Sequence, residues 1–147
     1  VGGLLALWIL DTDHVSLWLQ NHPQVVQRIA QVRPDQLAIA IITAEEQVRG
    51  RLNVIRRVAQ SNQPERSILA YQGLQDTLND LCKLNILPFT QAAHDCYMFL
   101  LQQKIRVGTR DWRIAAIALS RDATVVTRNQ RDFGQVPGLR SQDWTID

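Results

Sequence analysis

Three acids stand at comparable places along this chain. Asp11 closes the apolar run of WILDTDHVSLWL, Glu46 lies in IITAEEQVRG, and Asp111 opens GTRDWRIAAIAL. A short β-branched run at 124–127 leads into RNQRDFG, which offers Asn129 and Asp132. Carboxylates gathered at one place repel one another and are pushed toward the protonated form unless a positive charge lies among them. Hard divalent ions such as Mg²⁺ or Mn²⁺ suit an all-oxygen donor set and retain several waters. The chemistry expected of these residues is therefore a metal site completed by an external phosphate. Each acid also has a structural use. Asp11 or Asp13 would cap the helix that follows, Thr43 and Glu46 have capping-box spacing, and Asp111 sits in a first turn where the helix dipole favours negative charge.

The elements must bring these residues to one edge. Short apolar runs at 4–10, 37–42, 86–88 and 124–127 read as buried parallel strands. Between them, apolar residues at three- and four-residue spacing mark helices over 23–32, 68–84, 92–103 and 109–120, with a longer helical region from 43 to about 60. Alternating strands and helices give an α/β fold with a mostly parallel sheet. In such a sheet the C-terminal strand ends share one edge, where ligands bind, so Asp11, Glu46 and the residues after 127 are expected there.

The 147 residues suit one domain, 46% hydrophobic and 20% charged, which fits an ordinary soluble globular protein. The net charge of +2 by itself demands no nucleic-acid partner, but of the 16 basic residues only Lys83 and Lys104 are lysines. Arginine's planar fork suits phosphate. Cys82 and Cys96 form no C-x-x-C pair, which speaks against a zinc ribbon or disulfide framework and for a reducing cytoplasm. The apolar start is too short to span a bilayer, so no membrane partner is expected. Val1 is not an initiator Met, and residues 1–7 are read as partly extra to the fold.

The four blocks WILDTDHVSLWL, AIAIITAEEQVRGRL, GTRDWRIAAIAL and TVVTRNQRDFGQVPGLRSQDW, in this order and spacing, resemble PIN-domain ribonucleases, in particular the toxin subunits of VapBC toxin–antitoxin pairs. The resemblance implies a three-layer α/β fold, with a short, mostly parallel central sheet of four to five strands flanked by helices. It further implies an acidic pocket for Mg²⁺ or Mn²⁺ and metal-dependent cleavage of RNA. By position, Asp11, Glu46 and Asp111 match the family's first three acids and would hold the metal, while Asn129 or Asp132 takes the variable fourth place. Asp132 is counted with the catalytic acids; Asp13, Thr127 and Asn129, along with Glu45, are neighbours that support the site, position substrate or cap. Arg110, Arg113, Arg128 and Arg131 are the residues placed to grip the RNA backbone. A VapB-type antitoxin, received by a groove among the helices that include the basic amphipathic stretch 49–66, and a homodimer are likewise implied by the resemblance.

The remaining features point to structure. His14, His22 and His94 have no metal-ligand spacing, and His14 is expected to be solvated or capping. Trp8 is read as core, Trp18 as an interface residue, Trp112 as core or a base-stacking ring, and Trp144 as the pin of the C-terminal tail. Phosphate-loop, dinucleotide and G-x-S-x-G signatures are absent. Two other classes fit clustered acids on an α/β fold: a receiver-like Mg²⁺-binding signalling domain and a catalytically inactive PIN-fold binding module. The first needs a Lys after the last strand, which this chain lacks at 124–127.

Overall fold

Alternating side chains send the three central strands of this protein into two different cores. The computed structural model describes residues 6–103 and 109–146, with backbone alone at 109 and 110. Its strands are β1 (Trp8–Leu10), β2 (Leu37–Ala40), β3 (Asn85–Leu87), β4 (Thr124–Val126) and β5 (Arg140–Gln142). All pair in parallel, in the order β3-β2-β1-β4-β5. The helices are α1 (Thr12–Leu19), α2 (Pro23–Gln31), α3 (Ile41–Ala59), α4 (Ser67–Leu81), α5 (Gln91–Gln102), α6 (Thr109–Ser120) and the single turn α7 (Gln130–Phe133).

Ile9, Ala38, Ala40 and Val125 face a cluster built with Ala93 and Leu100 of α5, Phe133 of α7, and Trp112, Ile114 and Ile117 of α6. Leu10, Leu37, Ile39 and Val126 face the opposite cluster, with Val15 of α1, Ala44 of α3, Leu81 of α4 and Trp144. This is the expected three-layer arrangement, and it explains why β1, β2 and β4 read as unbroken apolar runs: strands buried on both faces have no solvent side to alternate with. Helix α6 buries Trp112 and the run Ile114 to Ala118, its alanines letting the helix lie close to the sheet.

The structure adds elements and moves boundaries. β5 is a polar edge strand, Arg-Ser-Gln, with no apolar signal to announce it. The run at 37–42 splits, because Ile41 and Ile42 already belong to α3; a short apolar run does not distinguish strand from buried helix. Consequently Thr43 is no helix cap. The cap position falls on Ala40, without a side-chain bond, and the Thr43 hydroxyl lies buried 3.3 Å from that of Thr12. In the expected strand at 4–10, residues 4 and 5 lie outside the described residues, as do 1–3 of the expected N-terminal extension, while Leu7 packs against the α6 side of the core. Among the described residues no helix is long and apolar enough to cross a membrane.

Because β1 is flanked by β2 on one side and β4 on the other, the chain winds outward in both directions from the β1/β4 boundary. That boundary is the topological switch point, where the connections diverge and leave a crevice beyond the strand ends. A receiver domain has the order 2-1-3-4-5, which places its switch point elsewhere; the order seen here removes that reading.

Ile9 lies at the centre of this frame and is fully buried. Ile9→Ala should cost about 2–5 kcal/mol of unfolding free energy in a urea titration. Leu69→Ala, on a side chain 74% exposed, should stay within about 0.5 kcal/mol of the parent. Equal effects from the two would contradict the assigned core.

Candidate active site

The β1/β4 ladder carries Asp11 and Thr127 to the switch point side by side. Asp11 N donates to Val126 O at 3.0 Å, and Thr127 N donates to Gln142 O at 2.8 Å. Asp11 then caps α1, its Oδ1 accepting from His14 N at 2.8 Å. Capping by Asp11 leaves Asp13 in the first turn, where Arg128 holds it through Nε–Oδ2 at 2.6 Å and Nη2–Oδ1 at 3.2 Å. Asp13 is thus no cap. Thr127 is a strand-end residue; its buried hydroxyl accepts from Asn129 N at 2.9 Å.

Asn129 caps α7, accepting at Oδ1 from Asp132 N at 3.3 Å. Its amide nitrogen donates to Asp132 Oδ2 at 3.0 Å and lies 3.4 Å from Asp111 Oδ2. One amide therefore ties two carboxylates together. The turn that holds Asp132 closes through Gly134 N on Gln130 O at 2.9 Å. A Cβ at Gly134 would stand 2.5 Å from that carbonyl, so the site tolerates no side chain.

Asp111, half-buried at the start of α6, feels all the others. Its pKa is pushed from 3.8 up to about 6, first by burial, then by the negative charges of Asp11, Asp132 and Glu46, against a smaller lowering by the Asn129 hydrogen bond. The structure so brings Asp11, Glu46 and Asp132 within electrostatic reach of Asp111. Among the described residues no three His, Cys, Asp or Glu side chains make a preformed metal cage. The fit to a divalent cation rests instead on donor chemistry: hard carboxylate oxygens whose mutual repulsion already raises one of them.

Other expected participants sit differently. Glu45 lies on the exposed side of α3, paired with Arg49. Arg113 stacks 5.2 Å over the Tyr97 ring, Arg128 is committed to Asp13, and Arg131 is exposed. The Arg110 side chain lies outside the described residues. Trp112 is buried in the core and presents no ring for base stacking. Trp144 is buried and packs 5.6 Å from Trp8, with Arg28 over its ring; the tail is pinned as expected.

His14 departs most from expectation. It is neither solvated nor a cap but fully buried, its Nδ1 3.2 Å from Asp11 Oδ1 and its Nε2 3.2 Å from Trp144 N. The signal was present in the spacing, since a side chain three residues after a helix cap reaches back toward it.

This chain is 29% identical over 143 residues to "Ribonuclease VapC1" of Haemophilus influenzae, covering 95% of this chain and 98% of that protein. It is 29% identical over 141 residues to the tRNA(fMet)-specific endonuclease VapC of Salmonella typhimurium, covering 93% and 97%. Its fold superposes on VapBC-1 from nontypeable Haemophilus influenzae with a TM-score of 0.75 at 25% identity, over 95% of this chain and 99% of that one. The chain is VapC-like. No family model matches it. The likeness to VapC runs from end to end, as the spread of the four sequence blocks requires.

The acid cluster makes a pH prediction. In the unfolded chain Asp111 releases its proton near 3.8, in the folded one near 6. Between these values the folded state holds a proton the unfolded state has lost, so this group favours folding at the acid end, and its contribution is lost as pH rises from about 4 through 6. Carboxyl-resolved NMR of the ion-free protein should give Asp111 a midpoint near 6, and Asp11→Asn should lower it. A midpoint near 4 that ignores Asp11 would dissolve the cluster.

Proposed function

We propose that this protein is a metal-dependent endoribonuclease, the toxin of a toxin–antitoxin pair, acting in the cytoplasm with Mg²⁺ or Mn²⁺. The observation that carries this reading is the convergence of the Asp11, Glu46 and Asp132 charges on Asp111, with the Asn129 amide reaching both Asp111 and Asp132. The full-length likeness to ribonucleases of the VapC type supports it.

Asp11 and Asp111 would hold the cation, with Glu46 as a further ligand or as the group orienting the attacking water. When bound, such an ion supplies an activated water and neutralises charge on the phosphoryl oxygens. Asp132 takes the fourth acidic place, and Asn129 holds it against Asp111 through the shared amide. No Ser, Cys or His nucleophile is required. Arg131 is exposed beside the site, and Arg113 and Arg110 stand on the first turns of α6. These cations suit a polyanionic backbone, whose phosphates they would bind by charge-assisted hydrogen bonds. Arg128 presents its Nε–Nη2 fork to a phosphate only by giving up Asp13.

For partners, the α3/α4 groove of about 570 Å³, lined by Arg51, Val54, Arg57, Val58, Leu69 and Ala70, is where we place a VapB-type antitoxin segment. Exposed Met98, Phe99 and Leu101 on α5 offer apolar area for a second copy of the chain.

The test is cleavage of an end-labelled RNA panel in Mg²⁺ or Mn²⁺. Chelator should abolish cutting. Asp11→Asn and Asp111→Asn should each lower the rate at least as much as loss of an outer-shell partner does, roughly 10–100-fold, with thermal stability retained. Cutting that survives both substitutions and chelation would overturn the assignment of the acids.

A further inference from the structure

The hydrogen bonds around His14 fix its tautomer. A backbone N–H can only donate, so Trp144 N requires a lone pair on His14 Nε2, 3.2 Å away. The ring proton then sits on Nδ1 and donates to Asp11 Oδ1 at 3.2 Å. Asp143 Oδ1 lies near Nε2, at 3.8 Å. It already accepts from Thr145 N at 2.8 Å and Thr145 Oγ1 at 2.5 Å, and so does not compete for that nitrogen. With His14 N at 2.8 Å, Asp11 Oδ1 thus accepts two hydrogen bonds from one residue.

We infer that His14 is a positioning residue. As the neutral Nδ1–H tautomer, locked by the backbone N–H of Trp144, it fixes the Asp11 carboxylate in the orientation that binds the divalent cation, and so makes seating of the C-terminal tail a condition for a competent site. Two donors on one oxygen leave the carboxylate no freedom to rotate without breaking a bond to the fully buried His14 ring, whose Nδ1–H would be costly to leave unpaired. The imidazole has no exposed surface, so no water replaces either partner. Trp144 supplies the anchor: its ring is buried against Trp8, which holds its amide in place. The arrangement is a carboxylate ligand oriented by an outer partner, the class of contact whose loss costs 10–100-fold in metal affinity.

This inference rests on the proposed metal site, and the experiment separates the two. Nitrogen-15 spectra of the ion-free wild-type protein should show the His14 ring as the Nδ1–H tautomer; an Nε2–H ring overturns the linkage whatever the protein binds. Mn²⁺ affinity, read by calorimetry, should weaken roughly 10-fold or more in His14→Leu. His14→Asn, whose amide nitrogen can occupy the Nδ1 position, should recover most of that loss. A folded His14→Leu protein that binds Mn²⁺ like wild type overturns the proposal. Failure of the wild type to bind Mn²⁺ would sink the metal reading, leaving the tautomer to judge the His14 bond alone. If the buried substitutions prevent folding, the wild-type spectrum decides.

Discussion

Negative charge crowded beyond the ends of β1 and β4 is the constraint around which this molecule is arranged. Asp11, Glu46, Asp111 and Asp132 repel, and the visible cost is an Asp111 carboxyl that holds its proton up to about pH 6. The fold meets that repulsion with helix N-termini. Asp11 caps α1, Asp111 lies in the first turn of α6, and Asp132 in the first turn of α7. Each therefore sits against partly positive backbone N–H groups. The Asn129 amide adds a donor between Asp111 and Asp132, and His14 adds another to Asp11.

Helices can deliver acids to one place only if the sheet beneath them is rigid and thin. The strands here are three or four residues long, and their small residues do much of the positioning. Ala38 and Ala40 on β2 face the α6 side of the core, while Ala115, Ala116 and Ala118 are buried within α6 itself. Close approach follows from the missing side-chain volume, and tight packing makes the relative placement of Asp11 and Asp111 stiff. On the other face the tail supplies what the short strands lack: Trp144, tilted against Trp8 and covered by Arg28, closes the second core.

The arginines show how little composition says about a binding surface. The chain is rich in a side chain suited to phosphate, yet Arg128 is spent on Asp13, Arg49 on Glu45, Arg140 on Asp122 and Arg113 on the Tyr97 ring. The pairs at Asp13, Glu45 and Asp122 are exposed, where screening leaves each worth little, so a polyanion can exchange them at small cost. Arg113 differs, since its stacked guanidinium keeps its donors while its plane is fixed.

The sequence by itself determined the α/β class, the buried parallel strands β1, β2 and β4 and most helices, and it singled out Asp11, Glu46 and Asp111; β3, expected to be buried, exposes Asn85 and Ile86. These signals are local: apolar runs, helical periodicity and carboxylates at element ends are written in neighbouring residues. Only the tertiary structure decided that Asp11 rather than Asp13 is the cap, that α3 begins before Thr43, that Asn129 bridges Asp111 to Asp132, and that His14 is buried between Asp11 and Trp144. β5 was invisible because a polar edge strand is specified by its partner, with Thr124, Val125 and Val126 pairing to residues that carry no pattern of their own. Hydrogen-bond partners 130 positions apart, like His14 and Trp144, leave no trace in local spacing. Their meeting depends on strand order and core packing, which exist only once the chain has folded.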